Sequence, residues 1–159
     1  MKKQIADVEV IQLKKLKLYL DNCCFNRPFD NQLDDKVRLE SEAVLTIMEK
    51  CENGVWTIAK SDVLFEEISK MPNEIKKQKV FYLYSIASQN IQLNATIINS
   101  AKELMLLNIK PYDALHLASA EYGDVDIFLT TDKKLINLSM KANLRLKVVN
   151  PAVWLMEVL

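Results

Sequence analysis

Glycine is nearly absent from this chain, which has only Gly54 and Gly123 among 159 residues. The phosphate-binding loops of dinucleotide-binding and nucleotide-hydrolysing proteins need several glycines in a short span, because their backbone must approach the phosphates closely. No such span occurs here. The scarcity of glycine therefore argues against both kinds of nucleotide site.

Cysteine is also scarce and unevenly placed. Cys23 and Cys24 are adjacent, and Cys51 stands apart from them. An odd number with two direct neighbours suits neither a disulfide framework nor the spaced ligand pairs of a zinc site. We expect all three thiols to be reduced and mostly buried.

Long apolar runs are missing from the sequence. Asp7 and Glu9 interrupt the N-terminal segment, so that it lacks the apolar core of a signal peptide. No stretch is long enough to cross a membrane. We therefore expect a cytoplasmic protein without a membrane partner.

Net charge is absent as well, since 21 Lys and Arg residues balance 21 Asp and Glu residues. A global positive field that would attract a polyanion is excluded, and any nucleic-acid binding must come from local patches. The hydrophobic content of 50% is typical of a globular chain rather than a disordered one. The length suits one domain with one core.

Short apolar runs alternate along the chain with segments of helical periodicity. The predicted strands are residues 16–20, 55–59, 91–93, 126–130 and 146–149. The predicted helices are residues 35–51, 61–71, 73–87, 94–107, 111–123, 132–142 and 151–159, and residues 22–34 are predicted to form a polar loop. The alternation implies a mainly parallel sheet with helices on both faces, whose ligand sites lie at the carboxyl ends of the strands.

Two aspartates follow predicted strands. Asp21 comes directly after the run LKLYL, and Asp132 follows IFLT after one more threonine. The carboxyl ends of parallel strands share one edge of the sheet, so we expect these two side chains to be near each other. For Asp132, which precedes a predicted helix, a simple capping role stays open as an alternative.

Two further acids are predicted to turn inward from helices. Asp113 lies in the first turn of a helix rich in small and apolar residues, where a buried carboxylate normally needs a cation or hydrogen-bond donors. Stabilisation by the helix dipole alone is the other interpretation of Asp113. With a step of about 100° per residue, Glu67 falls within the apolar sector of its helix and Glu66 falls outside it. A neutral or ion-paired state of Glu67 is the alternative.

Carboxylates that converge on one edge repel each other, by about 4 kcal/mol for two charges ~4 Å apart at an effective dielectric constant near 20. A hard divalent cation relieves this repulsion, and oxygen ligands suit Mg²⁺ or Mn²⁺. Such an ion activates water for attack on phosphorus. Asp21, Glu67, Asp113 and Asp132 are therefore the candidate metal ligands and catalytic residues.

Several segments of the chain resemble the PIN domain family. They are LYLDNCCFNRPFD, SDVLFEEI, PYDALHLASAE, FLTTDKKL and VVNP, which together span about residues 17–151. The strand-end aspartate, DALHLA and TTDKKL in that order are more specific together than any of them alone. The resemblance implies a three-layer α/β/α sandwich formed by residues 16–159, with residues 1–15 as an N-terminal extension outside it.

The resemblance also implies a function. In this family the acidic cluster binds Mg²⁺ or Mn²⁺, and VapC-type members are toxins that hydrolyse RNA and pair with an antitoxin protein. The family's acidic positions match Asp21, Glu67, Asp113 and Asp132. Many members have threonine or serine after the first aspartate, where this chain has Asn22.

Substrate contacts are expected beside the acids. Asn22 follows Asp21, Arg27 offers a planar fork for phosphate, and Lys133 is part of a local positive patch with Lys134. Ordinary surface solvation is an equal alternative for Arg27. His116 is predicted to be a core or supporting residue rather than the general base.

Alternative functions stay open. A catalytically silent PIN-like module that binds RNA or a protein is one, although all four acidic positions are filled. A phosphotransferase that forms an aspartyl-phosphate is another, but a haloacid-dehalogenase-like site needs an aspartate where Cys23 stands. The segment Met105-Leu106-Leu107 is predicted to lie in the core or in a homodimer surface.

Overall fold

The computed structural model describes residues 14–159. The predicted N-terminal extension, residues 1–15, lies almost wholly outside this range, and the prediction for it stays untested. Within the described range, no helix combines the length and the apolar character that crossing a membrane requires.

A five-stranded sheet forms the centre of the molecule. Its strands are β1 (Lys17–Leu20), β2 (Thr57–Ser61), β3 (Gln89–Ile91), β4 (Ile127–Leu129) and β5 (Lys147–Val149). Their order is β3-β2-β1-β4-β5, and every neighbouring pair is parallel. The predicted α/β class and parallel sheet are confirmed. Because β1 is central, its carboxyl end lies between those of β2 and β4.

Eight α-helices and one short 3₁₀ helix surround the sheet in the described part of the chain. They are α1 (Asn22–Asn26), the 3₁₀ helix (Arg27–Phe29), α2 (Asp35–Glu52), α3 (Asp62–Ser69), α4 (Glu74–Tyr84), α5 (Ala95–Met105), α6 (Pro111–Tyr122), α7 (Lys133–Ser139) and α8 (Pro151–Val158). Helix starts follow the predicted caps, since the side chains of Ser61, Asn73 and Asn94 each accept a hydrogen bond from a first-turn backbone N–H.

Two hydrophobic cores lie on opposite faces of the sheet. Successive side chains of a strand point to opposite faces, so Leu18 and Leu20 enter one core and Tyr19 enters the other. The first core packs against α1 to α4 and α8, and the second packs against α5, α6 and α7. This arrangement is the predicted three-layer α/β/α sandwich.

The prediction of a polar loop over residues 22–34 was wrong at its start, where α1 and the 3₁₀ helix form. Asp21 caps α1 through its side chain, and Cys24 and Phe25 are buried in the first core. Burial of these two apolar side chains stabilises a helix too short to be detected by periodicity. The cysteines are free as predicted, but only Cys24 is fully buried.

The predicted ends of two strands and one helix were also wrong. Strand β2 begins two residues later than predicted and ends at Ser61. Strand β3 is Gln89–Ile91 rather than residues 91–93, because the backbone N–H of Leu93 donates to the Asp62 carboxylate at 2.9 Å instead of entering the sheet. Helix α7 ends at Ser139, short of the predicted residue 142.

Candidate active site

Asp21 lies at the carboxyl end of the central strand, where several hydrogen bonds hold its backbone and its carboxylate. Its backbone N–H donates to the carbonyl oxygen of Leu129 at 2.9 Å, which continues the pairing of β1 with β4. Its Oδ1 accepts from the N–H of Asn22 at 2.7 Å, and its Oδ2 accepts from Thr130 Oγ1 at 2.9 Å. The side chain is buried, so these donors and the short strand fix the direction of its carboxylate.

Glu67 faces this edge from α3, as the helical phase predicted. Its Oε1 lies 3.3 Å from Nε2 of His116. Glu66 points to the surface instead and forms an ion pair with Lys70 at 2.9 Å. The predicted inward and outward orientations of the two glutamates are therefore confirmed.

His116 is completely buried beside Glu67, in line with its predicted position in the core. Its Nδ1 lies 2.6 Å from the hydroxyl oxygen of Tyr19, which lies 2.6 Å from Ser61 Oγ. Burial by itself would lower the pKa of His116, but the hydrogen bond to Glu67 and the nearby carboxylates raise it above its usual value. Ligand atoms of Asp21, Glu67 and His116 all lie within 4.8 Å of one another, so this group can hold a metal ion.

Asp113 experiences the field of the other acids from the first turn of α6. Burial is the main cause that raises its pKa from 3.8 to about 6, and the charges of Asp21, Asp132 and Glu67 raise it further while His116 opposes them. The other three predicted acids are thus close enough to Asp113 for their charges to raise its pKa. A cation placed among them would reduce this excess of negative charge.

Asp132 is the most exposed of the four acids. Its Oδ1 accepts a hydrogen bond from the N–H of Leu135 at 3.2 Å, so the capping role considered for it is present. It also lines a small cavity with Asp113, Lys110 and Lys134. Capping uses one oxygen of Asp132 and is compatible with a second role of its carboxylate at the edge of the cluster.

Two of the predicted substrate contacts, Arg27 and Asn22, have side chains that bond to other residues of the fold. Arg27 forms ion pairs with Asp30 at 2.9 Å and with the buried Glu40 at 3.1 Å. Asn22 accepts two hydrogen bonds from the side chain of Asn26. Arg27 therefore has a structural role within the fold, and its predicted contact with phosphate stays a prediction.

Lysines next to the acids include one that the sequence analysis did not single out. Lys133 is exposed at the start of α7, whereas Lys134 and Lys110 line the cavity beside Asp113 and Asp132. Lys110 precedes Pro111, the first residue of α6, and this position at a helix start was the only signal for it. Its approach to Asp132 depends on how α6 packs against α7.

Thr130 and Tyr19 are two supporting residues that the sequence analysis did not assign. Thr130 follows β4 and orients Asp21, and only the pairing of β1 with β4 shows that these residues meet. Tyr19 occupies a strand position that a buried aliphatic residue would also suit. Its hydroxyl contact with His116 depends on the packing of α6 on the sheet.

A separate cavity of about 510 Å³ lies between α5, α6 and residues 141–145. None of the four acids lines it, and its walls are mainly apolar. Although this cavity is large, we do not take it as the candidate active site, because the carboxylates at the carboxyl ends of the strands lie elsewhere.

No protein-family model matches the chain, and no curated protein matches it. A chain in the crystal structure of VapBC2 from Rickettsia felis bound to a DNA fragment from their promoter is similar in structure, with a TM-score of 0.57 and 18% sequence identity. The similarity covers 85% of this chain and 98% of that chain. At this identity the comparison shows a shared α/β fold, consistent with the PIN-like architecture.

Proposed function

We propose that this chain is a metal-dependent endoribonuclease that hydrolyses phosphodiester bonds of RNA. The observation that carries the proposal is the convergence of carboxylates at the carboxyl end of β1, where the pKa of Asp113 is raised to about 6 mainly by burial and then by its acidic neighbours. Such a site is costly without a cation and suits phosphate chemistry with one. The shared fold with a chain of the VapBC2 structure supports the same class of protein.

Mg²⁺ or Mn²⁺ suits the four acids, because carboxylate oxygens are hard ligands. Oxygens of Asp21 and Glu67 lie within 4.8 Å of each other, and the charges of both, together with that of Asp132, act on Asp113. When bound, the ion would activate a water molecule and stabilise the negative charge that develops on the phosphate. The carboxylates that hold it are the catalytic residues of the proposal.

Residues around the acids supply orientation and charge. Thr130 fixes the carboxylate of Asp21 through its 2.9 Å hydrogen bond. Lys110 and Lys134 lie beside Asp113 and Asp132 and would attract the phosphate backbone locally. Because the whole chain has no net positive charge, the proposed attraction of RNA depends on this local patch.

RNA cleavage is the direct test of the proposal. A mixed RNA pool incubated with the protein should be cut in Mg²⁺ or Mn²⁺ and left intact in chelator. Asp113→Asn, purified in the same way, should lose cleavage, whereas the exposed Asp124→Asn should retain it. Metal-independent cleavage, or equal cleavage by Asp113→Asn, would contradict the proposal. RNA retention without cleavage by the wild type would favour a silent binding module.

A toxin role is the finer part of the proposal. The structural neighbour is a VapBC2 complex, which suggests that an antitoxin protein binds this chain too. Expression of this protein in cells should arrest their growth. Co-expression of a small protein from a gene adjacent to its own should relieve the arrest. A homodimer is also proposed, and light scattering of the purified protein measures its mass.

A further inference from the structure

A buried chain of hydrogen bonds ends on the inward glutamate. It begins at Ser61, the last residue of β2, passes through Tyr19 in β1 and His116 in α6, and reaches Glu67 in α3. Its successive distances are 2.6, 2.6 and 3.3 Å. Ser61, Tyr19 and His116 are each 0% exposed, so water cannot take the place of any missing partner.

The capping of α3 by Ser61 determines which group donates in each of these hydrogen bonds. Ser61 Oγ accepts a hydrogen bond from the N–H of Leu64 at 3.0 Å. Among the hydrogen bonds of the described residues, its other partner is the hydroxyl group of Tyr19. The buried hydroxyl hydrogen of Ser61 needs an acceptor, and the Leu64 N–H is a donor. Ser61 therefore donates to the Tyr19 oxygen, and Tyr19 directs its own hydrogen to Nδ1 of His116.

A neutral imidazole that accepts at Nδ1 must carry its hydrogen on Nε2. We infer that Ser61, Tyr19 and His116 are positioning residues that hold Glu67 through an Nε2–H donor, and that His116 is not itself a metal ligand. An imidazolium also carries hydrogen on Nε2, so the contact with Oε1 of Glu67 persists in both protonation states. The inference deepens the proposed function and rests on it for the role of Glu67.

The consequence concerns the choice of metal. A hydrogen on Nε2 occupies the lone pair that a metal would need, so the cluster of Asp21, Glu67 and His116 offers oxygen ligands only. One oxygen of Glu67 faces His116, and its other oxygen is left for an ion. The arrangement favours Mg²⁺ or Mn²⁺ over zinc, which prefers nitrogen and sulfur ligands.

His116 is the only histidine in the sequence, so its ring can be observed without assignment. Two-bond ¹H–¹⁵N spectra of the ¹⁵N-labelled full chain, recorded in chelator at alkaline pH where the ring is neutral, report which nitrogen carries hydrogen. We expect the Nε2–H tautomer, unchanged by saturating Mg²⁺. The Nδ1–H tautomer, before or after addition of Mg²⁺, would overturn the inference. Because the metal-free spectrum needs neither binding nor activity, failure of the proposed function leaves this result readable.

The substitution Tyr19→Phe tests the hydrogen-bond chain. The variant keeps the ring that stacks on Phe128 at 5.2 Å between centroids and removes only the hydroxyl group. We expect the Nε2–H tautomer to persist, because the Glu67 carboxylate still accepts from Nε2, and we expect the Kd for Mg²⁺, measured by calorimetry, to rise about tenfold because the ring loses its second anchor. Ser119→Ala is the matched control, because this buried hydroxyl in α6 has no hydrogen-bond partner in the described structure. An unchanged Kd for Mg²⁺ in Tyr19→Phe would refute the positioning role, and the wild-type spectrum decides if the variant does not fold.

Discussion

Replacing Asp113 by asparagine should stabilise the metal-free protein at neutral pH while it abolishes cleavage. The folded pKa of this carboxyl group is raised from 3.8 to about 6, mainly by burial and then by the charges of Asp21, Asp132 and Glu67. The charged form is therefore disfavoured in the folded state. The stability associated with neutral Asp113 is fully present below pH 3.8 and is lost as the pH rises through about 6.

The size of the expected change in the free energy of unfolding follows from the shift in the pKa of Asp113. At about 1.4 kcal/mol per pKa unit, a rise from 3.8 to about 6 corresponds to roughly 3 kcal/mol. Asp113 is only half-buried, so solvent screening reduces this to about 1–2 kcal/mol. Asparagine avoids this loss but gives up about 0.3–1 kcal/mol of interaction with the N-terminal end of α6. The gap in unfolding free energy should therefore widen by about 1–2 kcal/mol between about pH 4 and 7.

Thermal melts of wild type and Asp113→Asn in chelator, across this pH range, measure the gap. For a chain of this size the widening corresponds to roughly 3–6 °C in Tm. Addition of Mg²⁺ should then stabilise the wild type more than the variant, in proportion to RT ln(1 + [Mg²⁺]/Kd). Asp124→Asn is the control, since Asp124 is exposed at a backbone φ of 56° that asparagine also tolerates. A difference in Tm between Asp113→Asn and wild type that stays constant from about pH 4 to pH 7 would refute the predicted effect of the Asp113 charge on stability.

Three further predictions concern the acids, the support of the fold and the N-terminal segment. Glu67→Gln should abolish metal-dependent RNA cleavage and Glu66→Gln should retain most of it, because only Glu67 faces the cluster; equal losses would contradict the proposed role. Glu40→Ala should lower the free energy of unfolding by about 1.5–3 kcal/mol in urea titrations, since it leaves Arg27 with Asp30 alone and removes the acceptor of the Asn150 side chain. A loss below about 0.5 kcal/mol would show that these contacts of Glu40 are unimportant. Deletion of residues 1–15 should leave cleavage intact, and insoluble protein would show instead that they belong to the core.

Residue patterns along the chain were enough to predict most of the helices and strands. Ser61 and Asn94 have side-chain oxygens that satisfy first-turn N–H groups, and this capping chemistry is local. The helical phase placed Glu67 inward and Glu66 outward for the same reason, since neighbours on one helix are related by a fixed rotation. Helix α1 was missed because five residues are too few for a period, and its burial depends on the rest of the fold.

Sequence by itself determined the alternation of strands and helices, the position of Asp21 at a strand end, and the inward phase of Glu67, because each depends on residues close together in the chain. Only the tertiary structure decided that Thr130 meets Asp21 and that Tyr19 meets His116. These contacts join residues separated by more than ninety positions and arise from strand order and helix packing. No local pattern encodes the direction of a buried hydrogen bond, because that direction is fixed by every donor and acceptor packed around it.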